Sequence, residues 1–539
     1  MIHAPELVAH EAALAALPKG APRPWWEGRP FVVAMILLAF VPLLWPHIPP
    51  LVDLGGHMGR YKVALDGDTS ATLQQWYHFR WLPIGNLGVD VLVVPLAKLI
   101  GLEPATKLVV MSIPPMTVAG MLWVAREVHN RLPPTVAFAL PLAFGHPFLF
   151  GFVNFSLSMA LAMLAFGLWL RLGRLGKSKL RALLFVPISF IVFFAHTFGW
   201  GTLGLLCFSA EAVRQHDRGH SWWMAGIRAA YHSLAMAGPI LLILLWRTEA
   251  SGGVTARWFD WGFKWEYLWR MFRDRWRDYD VASAGIVLAV PLFALVHPRL
   301  TLSRNLAFSA LVLALTYVLL PRIVFGSAYT DMRLVPYAVA IFVLAIRFKA
   351  ETRYPLAIWL AVAAVGFMTV RLAGTTASMA IAGARQAEQL KAIDHIPQGA
   401  RVAVLVWDGC EKWALRRSDH LGAMATVRKD AYTNDHWPMV GSALLSVRYP
   451  EAGWFQRDPS QIVRDRGCRH EGWSVETALD YLPAPAFDYL WLLDMRPIPR
   501  EWVKGWTPVW VGEGSILLRN EDAEARPPAT RRTASVSAR

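Results

Sequence analysis

The sequence predicts a polytopic α-helical membrane protein closed by a C-terminal soluble α/β domain, and three observations predict it. Of 539 residues, 55% are AVILMFWYC and only 17% are charged, whereas soluble proteins carry about 25% charged residues. Apolar stretches near spanning length recur through the first two thirds of the chain. Beyond residue 395 the pattern changes to short strand-like runs, among them Val402–Trp407 and Tyr489–Leu493, between polar segments. This composition excludes a disordered chain, a coiled coil and an ordinary soluble enzyme. The 3 cysteines exclude a disulfide scaffold.

Eleven apolar stretches are expected to span, at about 30–48, 107–125, 134–149, 152–170, 182–198, 199–213, 229–246, 281–297, 305–320, 334–348 and 354–373. A twelfth, 85–101, holds Asn86 and Asp90 and is read as lying on the surface. The positive-inside rule supports that choice: with 85–101 outside, the basic run Arg171, Arg174, Lys177, Lys179 and Arg181 falls in the cytoplasm. Residues 1–29 are then a cytoplasmic segment without a signal-peptide cleavage site, ahead of a retained anchor. Residues 30–374 form the transmembrane domain, with outer loops 49–106 and 247–280. Residues 395–520 form the periplasmic soluble domain, and 521–539 are polar and disordered. Reporter fusions at about residue 176 and at the C-terminus should therefore report opposite sides of the membrane; both on one side would overturn this topology. The net charge of +15 and the 26 tryptophans fit basic cytoplasmic loops and contact with anionic membrane lipids, with no nucleic acid as partner.

The first outer loop opens DLGGHMGR, which places Asp53, His57 and Arg60 on one helical face. A carboxylate at a membrane boundary is costly unless paired or used. Asp53 either pairs with Arg60 and tethers the loop, or acts as an acid/base or metal-binding carboxylate beside an imidazole. Other polar groups fall in outer turns: His146 and Asn154 in HPFLFGFVN, His196 in AHTFGWG, and Asp331 and Arg333 in TDMRLVP. Groups from separate turns converging at one end of a bundle are how a site between helices is built. The second loop interleaves Trp258, Trp261, Trp265, Trp269, Phe272 and Trp276 with Arg257, Lys264, Arg270, Arg273, Arg275 and Arg277. That pattern fits an interfacial amphipathic helix, a membrane anchor or a binder of lipid phosphate. Cys410 and Cys468 fall in the oxidising compartment and can pair, while Cys207 lies in the sixth span. No Walker A, HExxH, CxxC or GxSxG motif is present.

The order of these features resembles bacterial members of the GT-C superfamily of polytopic glycosyltransferases. Matching features are an Asp close to the membrane after the first span (Asp53), surface helices in the first loop (56–66 and 85–101) and the HPFLFGFVNF segment. A D-x-R-x-x-P turn (Asp331, Arg333, Pro336) before a late span and a closing soluble domain complete the match. The resemblance implies sugar transfer, with inversion, from a polyprenyl-phosphate donor at the outer face of the inner membrane. It implies Asp53 as base, Arg333 on the donor phosphate, and His57, His196 and Asp331 in support. Asp53 is followed by Leu54, not by a second acidic residue as in many members; this leaves the requirement for a divalent metal open. Arg60, His146 and Asn154 complete the candidate binding set. A transporter or flippase of a lipid-linked substrate and a non-catalytic envelope assembly protein are the competing readings. The near absence of ionisable residues at the span centres speaks against transport.

Overall fold

The computed structural model describes residues 24–246, 254–324, 326–349, 354–409, 412–437, 444–466, 468 and 472–525. It is a helical bundle carrying a strand-containing C-terminal region. Five helices are long and apolar enough to cross a membrane: Leu102–His129, Val153–Arg174, Ser178–Ala195, Arg277–Val296 and Pro355–His395. Trp222–Met236 and Gly238–Leu244, bent by 69° at their junction, make a sixth if counted as one span. Length and composition thus account for five or six of the eleven expected spans; the other stretches are shorter, broken or more polar helices. Residues 134–149 show why. Pro141, Gly145 and Pro147 divide this stretch into 3₁₀ and α turns, Val136–Phe138, Leu140–Phe144 and His146–Phe150, because proline removes the donor that a continuous helix needs. The stretch 85–101 forms the helix Asp90–Ile100, about 16 Å long and too short to span a hydrocarbon core of about 30 Å.

Small residues bring the central helices together. A side chain at Gly167 would meet the Trp123 ring at 2.9 Å, and one at Gly120 would meet Met163 at 2.7 Å, so Leu102–His129 and Val153–Arg174 pack closely enough to bury most of their apolar surface.

In the C-terminal region the strand Arg401–Asp408 is central. Its run VAVLVW is buried on both faces, as expected for a parallel strand covered on both sides. It pairs in parallel with Tyr432–Thr433, Ile462–Arg464 and Tyr489–Leu493. Tyr489–Leu493 continues into the antiparallel pair Ser515–Asn520 and Trp506–Gly512. The two strand-like runs picked out in the sequence are direct neighbours, Val402 opposite Tyr489. Cys468 is disulfide-bonded and Cys207 is a buried free thiol; Cys410 lies outside the described residues.

The first loop is locked to this region. Tyr77–Phe79 pairs antiparallel with Leu445–Val447, and Lys62 reaches Asp430 at 3.1 Å. The segment 412–420 threads between the loops and the last long helix. The Arg417 guanidinium donates to the Pro50 carbonyl and to Asp274, and Trp413 Nε1 donates to Asp280 at 2.8 Å, an aspartate also held by Arg371 at 2.8 Å.

Candidate active site

The first loop turns at Asp53, which caps the helix Leu54–Asp66 without using its side chain on that helix. Its backbone N–H donates to the Phe150 carbonyl at 3.0 Å. Gly151, at φ +98°, sits so close that a Cβ there would lie 2.6 Å from the Asp53 nitrogen; only glycine suits both the left-handed conformation and that approach. The carboxylate is left facing the C-terminal region. The glycines of DLGGHMG serve the same junction: a side chain at Gly55 would collide with the His420 carbonyl, and one at Gly59 with the His436 ring.

His420 Nε2 lies 3.8 Å from an oxygen of Asp53 and 3.8 Å from an oxygen of Asp458. Its Nδ1 lies 2.7 Å from the Asp435 carbonyl oxygen. A carbonyl only accepts, so Nδ1 carries a proton and Nε2 is directed at the two carboxylates. Gln461 donates to Asp458 at 2.7 Å, and Arg416 reaches Asp419 at 3.0 Å. Burial lifts Asp53 to about 7, against the pull of the His420 charge. Burial likewise lifts Asp419 to about 6 and raises Asp458. For His420, burial would lower the imidazole, but the facing Asp458 and Asp53 carboxylates leave it raised. The site therefore holds protons near neutrality. Because folded Asp53 binds its proton more tightly than an unfolded aspartate does, this group's contribution to stability is largest at acid pH. That contribution declines as pH rises from about 4 to about 7.

Arg333 lies on the helix Thr330–Leu344. Its guanidinium sits 4.0 Å over the Phe152 ring, with Phe155 and Phe198 within 6.0 Å. It donates to Ser327 Oγ at 3.2 Å and to the Ala328 carbonyl at 3.1 Å. Its buried Nε has no partner, and among the described residues it makes no ion pair within contact distance. Its charge nevertheless acts on Asp53. His196 accepts from the Phe198 N–H at 3.1 Å and meets the Phe155 ring edge-on at 5.7 Å, so it shares two of Arg333's aromatic neighbours. His57 lies 5.2 Å from the Trp437 ring, and among the described residues its Nδ1 has no partner; burial, then the Arg60 and His420 charges, hold it neutral.

The other candidates are engaged elsewhere. The pairing of Asp53 with Arg60 is not found: Arg60 makes a two-pronged contact with Asp90, 2.9 Å for each bond. Asn154 donates to Asp90 at 2.9 Å and accepts from the Val89 N–H at 2.6 Å, so it pins the surface helix to the bundle. Asp331, two residues before Arg333 and therefore on a different helical face, pairs with buried Lys264 at 3.2 Å.

His146 belongs to an adjoining basic cluster. Its backbone N–H donates to the Met271 carbonyl at 2.8 Å, and among the described residues both buried ring nitrogens have no partner. Arg270 and Arg273 both lie over the Trp413 ring. Arg322 stacks on Phe263 at 3.4 Å and on Tyr329 at 5.2 Å. Among the described residues, buried Arg270 Nε, Arg322 Nη1 and Tyr267 Oη also have no partner, although Arg270 pairs with Glu266 through its Nη2. The second loop thus turns Arg270 and Arg273 onto Trp413 and buries Lys264, while Arg257, Arg275 and Arg277 stay exposed with Trp258, Trp261 and Trp265. Among the described residues, no group of three His, Cys, Asp or Glu is arranged to hold a metal ion.

His420, Asp419 and Asp458 were not singled out from the sequence. The density of titratable residues in RRSDH (416–420) and NDHW (434–437) is the signal that marks this region.

No family model matches the chain, and no curated protein matches it. Two solved structures of ArnT from Cupriavidus metallidurans are similar to it, each over 92% of this chain and 98% of theirs. The one bound to undecaprenyl phosphate has 10% identity and a TM-score of 0.46; the apo state has 12% and 0.48. Likeness at that level assigns neither a substrate nor a residue role.

Proposed function

We propose that this chain is a GT-C-type membrane glycosyltransferase that moves a sugar, with inversion, from a polyprenyl-phosphate donor to an acceptor hydroxyl at the outer face of a bacterial inner membrane. The observation that carries the reading is Asp53: a buried carboxylate free of Arg60, lifted to about 7 and facing His420. A base of that strength takes a hydroxyl proton at neutral pH and returns it to solvent readily. In the proposed step the acceptor oxygen forms a bond to the anomeric carbon as its proton passes to Asp53. The bond to the lipid phosphate breaks, and the electron pair leaves on that phosphate. Arg333, which among the described residues has no carboxylate in contact, and the arginines at 273 and 322 offer cations to that leaving charge. The His420 charge opposes the effect of burial and favours the deprotonated Asp53 that takes up the proton. His57, His196 and Asp331 are proposed as supporting groups, Asp331 through Lys264.

The test is transfer by the purified protein, with a polyprenyl-phosphate-linked sugar as donor and membranes supplying the acceptor, followed from pH 5 to pH 9. Activity needs Asp53 deprotonated, so kcat/KM should rise with pH and level off above about 7, falling roughly tenfold per unit on the acid side. A flat profile over pH 5 to 8 would remove Asp53 as the base.

A further inference from the structure

We infer that a crevice at the far end of the helical bundle binds the headgroup of an anionic phospholipid. Asn154 lies at the active-site end of the helix Val153–Arg174, and Arg171 and Arg174 lie at the other, about 25–30 Å away along the axis, close to one hydrocarbon thickness. There a cavity of about 470 Å³ opens between that helix, the end of Leu102–His129 and the start of Arg29–Leu38. Its rim carries Arg126, Glu127, Arg171 and Arg174, and its wall is formed by Val32, Ala119 and Leu122.

The charges do not cancel. Buried Glu127 accepts from Arg174 at 2.7 and 3.1 Å and from Trp123 Nε1 at 3.2 Å. Arg171 lies 3.9 Å from the same carboxylate and is 55% exposed. Arg126 is exposed and makes no ion pair or side-chain hydrogen bond among the described residues. Three arginines against one glutamate leave two positive charges, and the two least engaged guanidiniums, Arg126 and Arg171, border one cavity.

The wall identifies the source of the anion. Ala119 lies seven residues before Arg126, about 10 Å deeper along the helix. A phosphate at the rim thus leaves an acyl chain to run down against Ala119, Leu122 and Val32. Half-exposed Trp25 near the start of the neighbouring helix, with its ring edge on Trp26 at 5.4 Å, is the residue type that settles at the headgroup level. Free phosphate would share the rim chemistry but would leave the apolar wall uncovered.

The site is independent of the sugar-transfer reading and is tested by binding alone. The purified full chain is placed in nanodiscs of phosphatidylcholine with or without phosphatidylglycerol, and retained lipid is counted by native mass spectrometry. Phosphatidylglycerol should be retained roughly 30-fold over phosphatidylcholine, and the double variant Arg126→Ala/Arg171→Ala should lose most of that preference, since each cation near an anionic headgroup counts for about 1 kcal/mol. The control Arg218→Ala/Arg228→Ala removes two exposed arginines elsewhere and should keep the preference. Equal retention of both lipids, or an equal loss in the control, overturns the site. Displacement of the lipid by millimolar inorganic phosphate would overturn the lipid as occupant and leave a phosphate site.

Discussion

Asp53→Asn should lower glycosyl transfer by about 10²- to 10⁴-fold, the usual contribution of a positioned general base, in a protein that folds and inserts normally. Asparagine keeps the shape of the side chain but cannot take up the acceptor proton at neutral pH. The stability half of this prediction has the opposite sign from that of an ordinary ion pair. Folded Asp53 is lifted to about 7 by burial, so above that pH the native state holds a carboxylate that would be better solvated in the unfolded chain. The neutral amide removes that cost. At pH 8 the variant should melt no lower than the unmodified protein. Transfer and melting are read on one preparation. Near-normal transfer would remove Asp53 as the base and with it the main chemical support for the proposed reaction. A large fall in melting temperature at pH 8 would point to a structural role through His420.

Arg60→Ala should reverse that pattern, with stability lost and the chemistry per folded molecule retained. The Arg60–Asp90 pair is buried on both sides and is joined by Asn154. Removing the cation leaves Asp90 as an uncompensated buried charge, typically a loss of about 3–5 kcal/mol. Replacing both partners with apolar residues of similar volume, Arg60→Met with Asp90→Leu, should recover much of the loss, because the desolvated charge is gone as well. Melting temperature and membrane yield measure the first effect, and turnover per folded molecule measures the second. A donor-binding defect with unchanged melting would return Arg60 to the substrate site.

The strands Arg401–Asp408 and Tyr489–Leu493 were legible because a continuous apolar run of strand length has few other ways to be buried. Asp53 was legible because a carboxylate next to an apolar span is exceptional wherever the chain goes. The broken segment 134–149 was read as a span because its composition is apolar throughout. Hydropathy does not register that prolines interrupt a helix whose residues would otherwise suit a membrane. The second loop was legible in part: its exposed tryptophans follow the amphipathic pattern, whereas the inward turn of Arg270 and Arg273 onto Trp413 joins segments about 140 residues apart.

Composition and local pattern by themselves determined that this chain is helical with several stretches apolar enough to cross a membrane, that a strand-containing region closes it, and that Asp53, His57 and Arg333 lie where polar side chains need a reason to be. These are properties of short windows, set by the transfer free energy of each side chain. Partner choice was decided only in the tertiary structure. Arg60 is three residues from His57 and seven from Asp53, yet it binds Asp90, 30 residues away, while Asp53 meets His420 from the far end of the chain. A salt bridge or a proton-sharing pair depends on a few ångströms of approach and on the local exclusion of water. Both are set here by Gly55, Gly59 and Gly151, where missing side chains let the first loop, the helical turn at Phe150 and the C-terminal region close around one carboxylate.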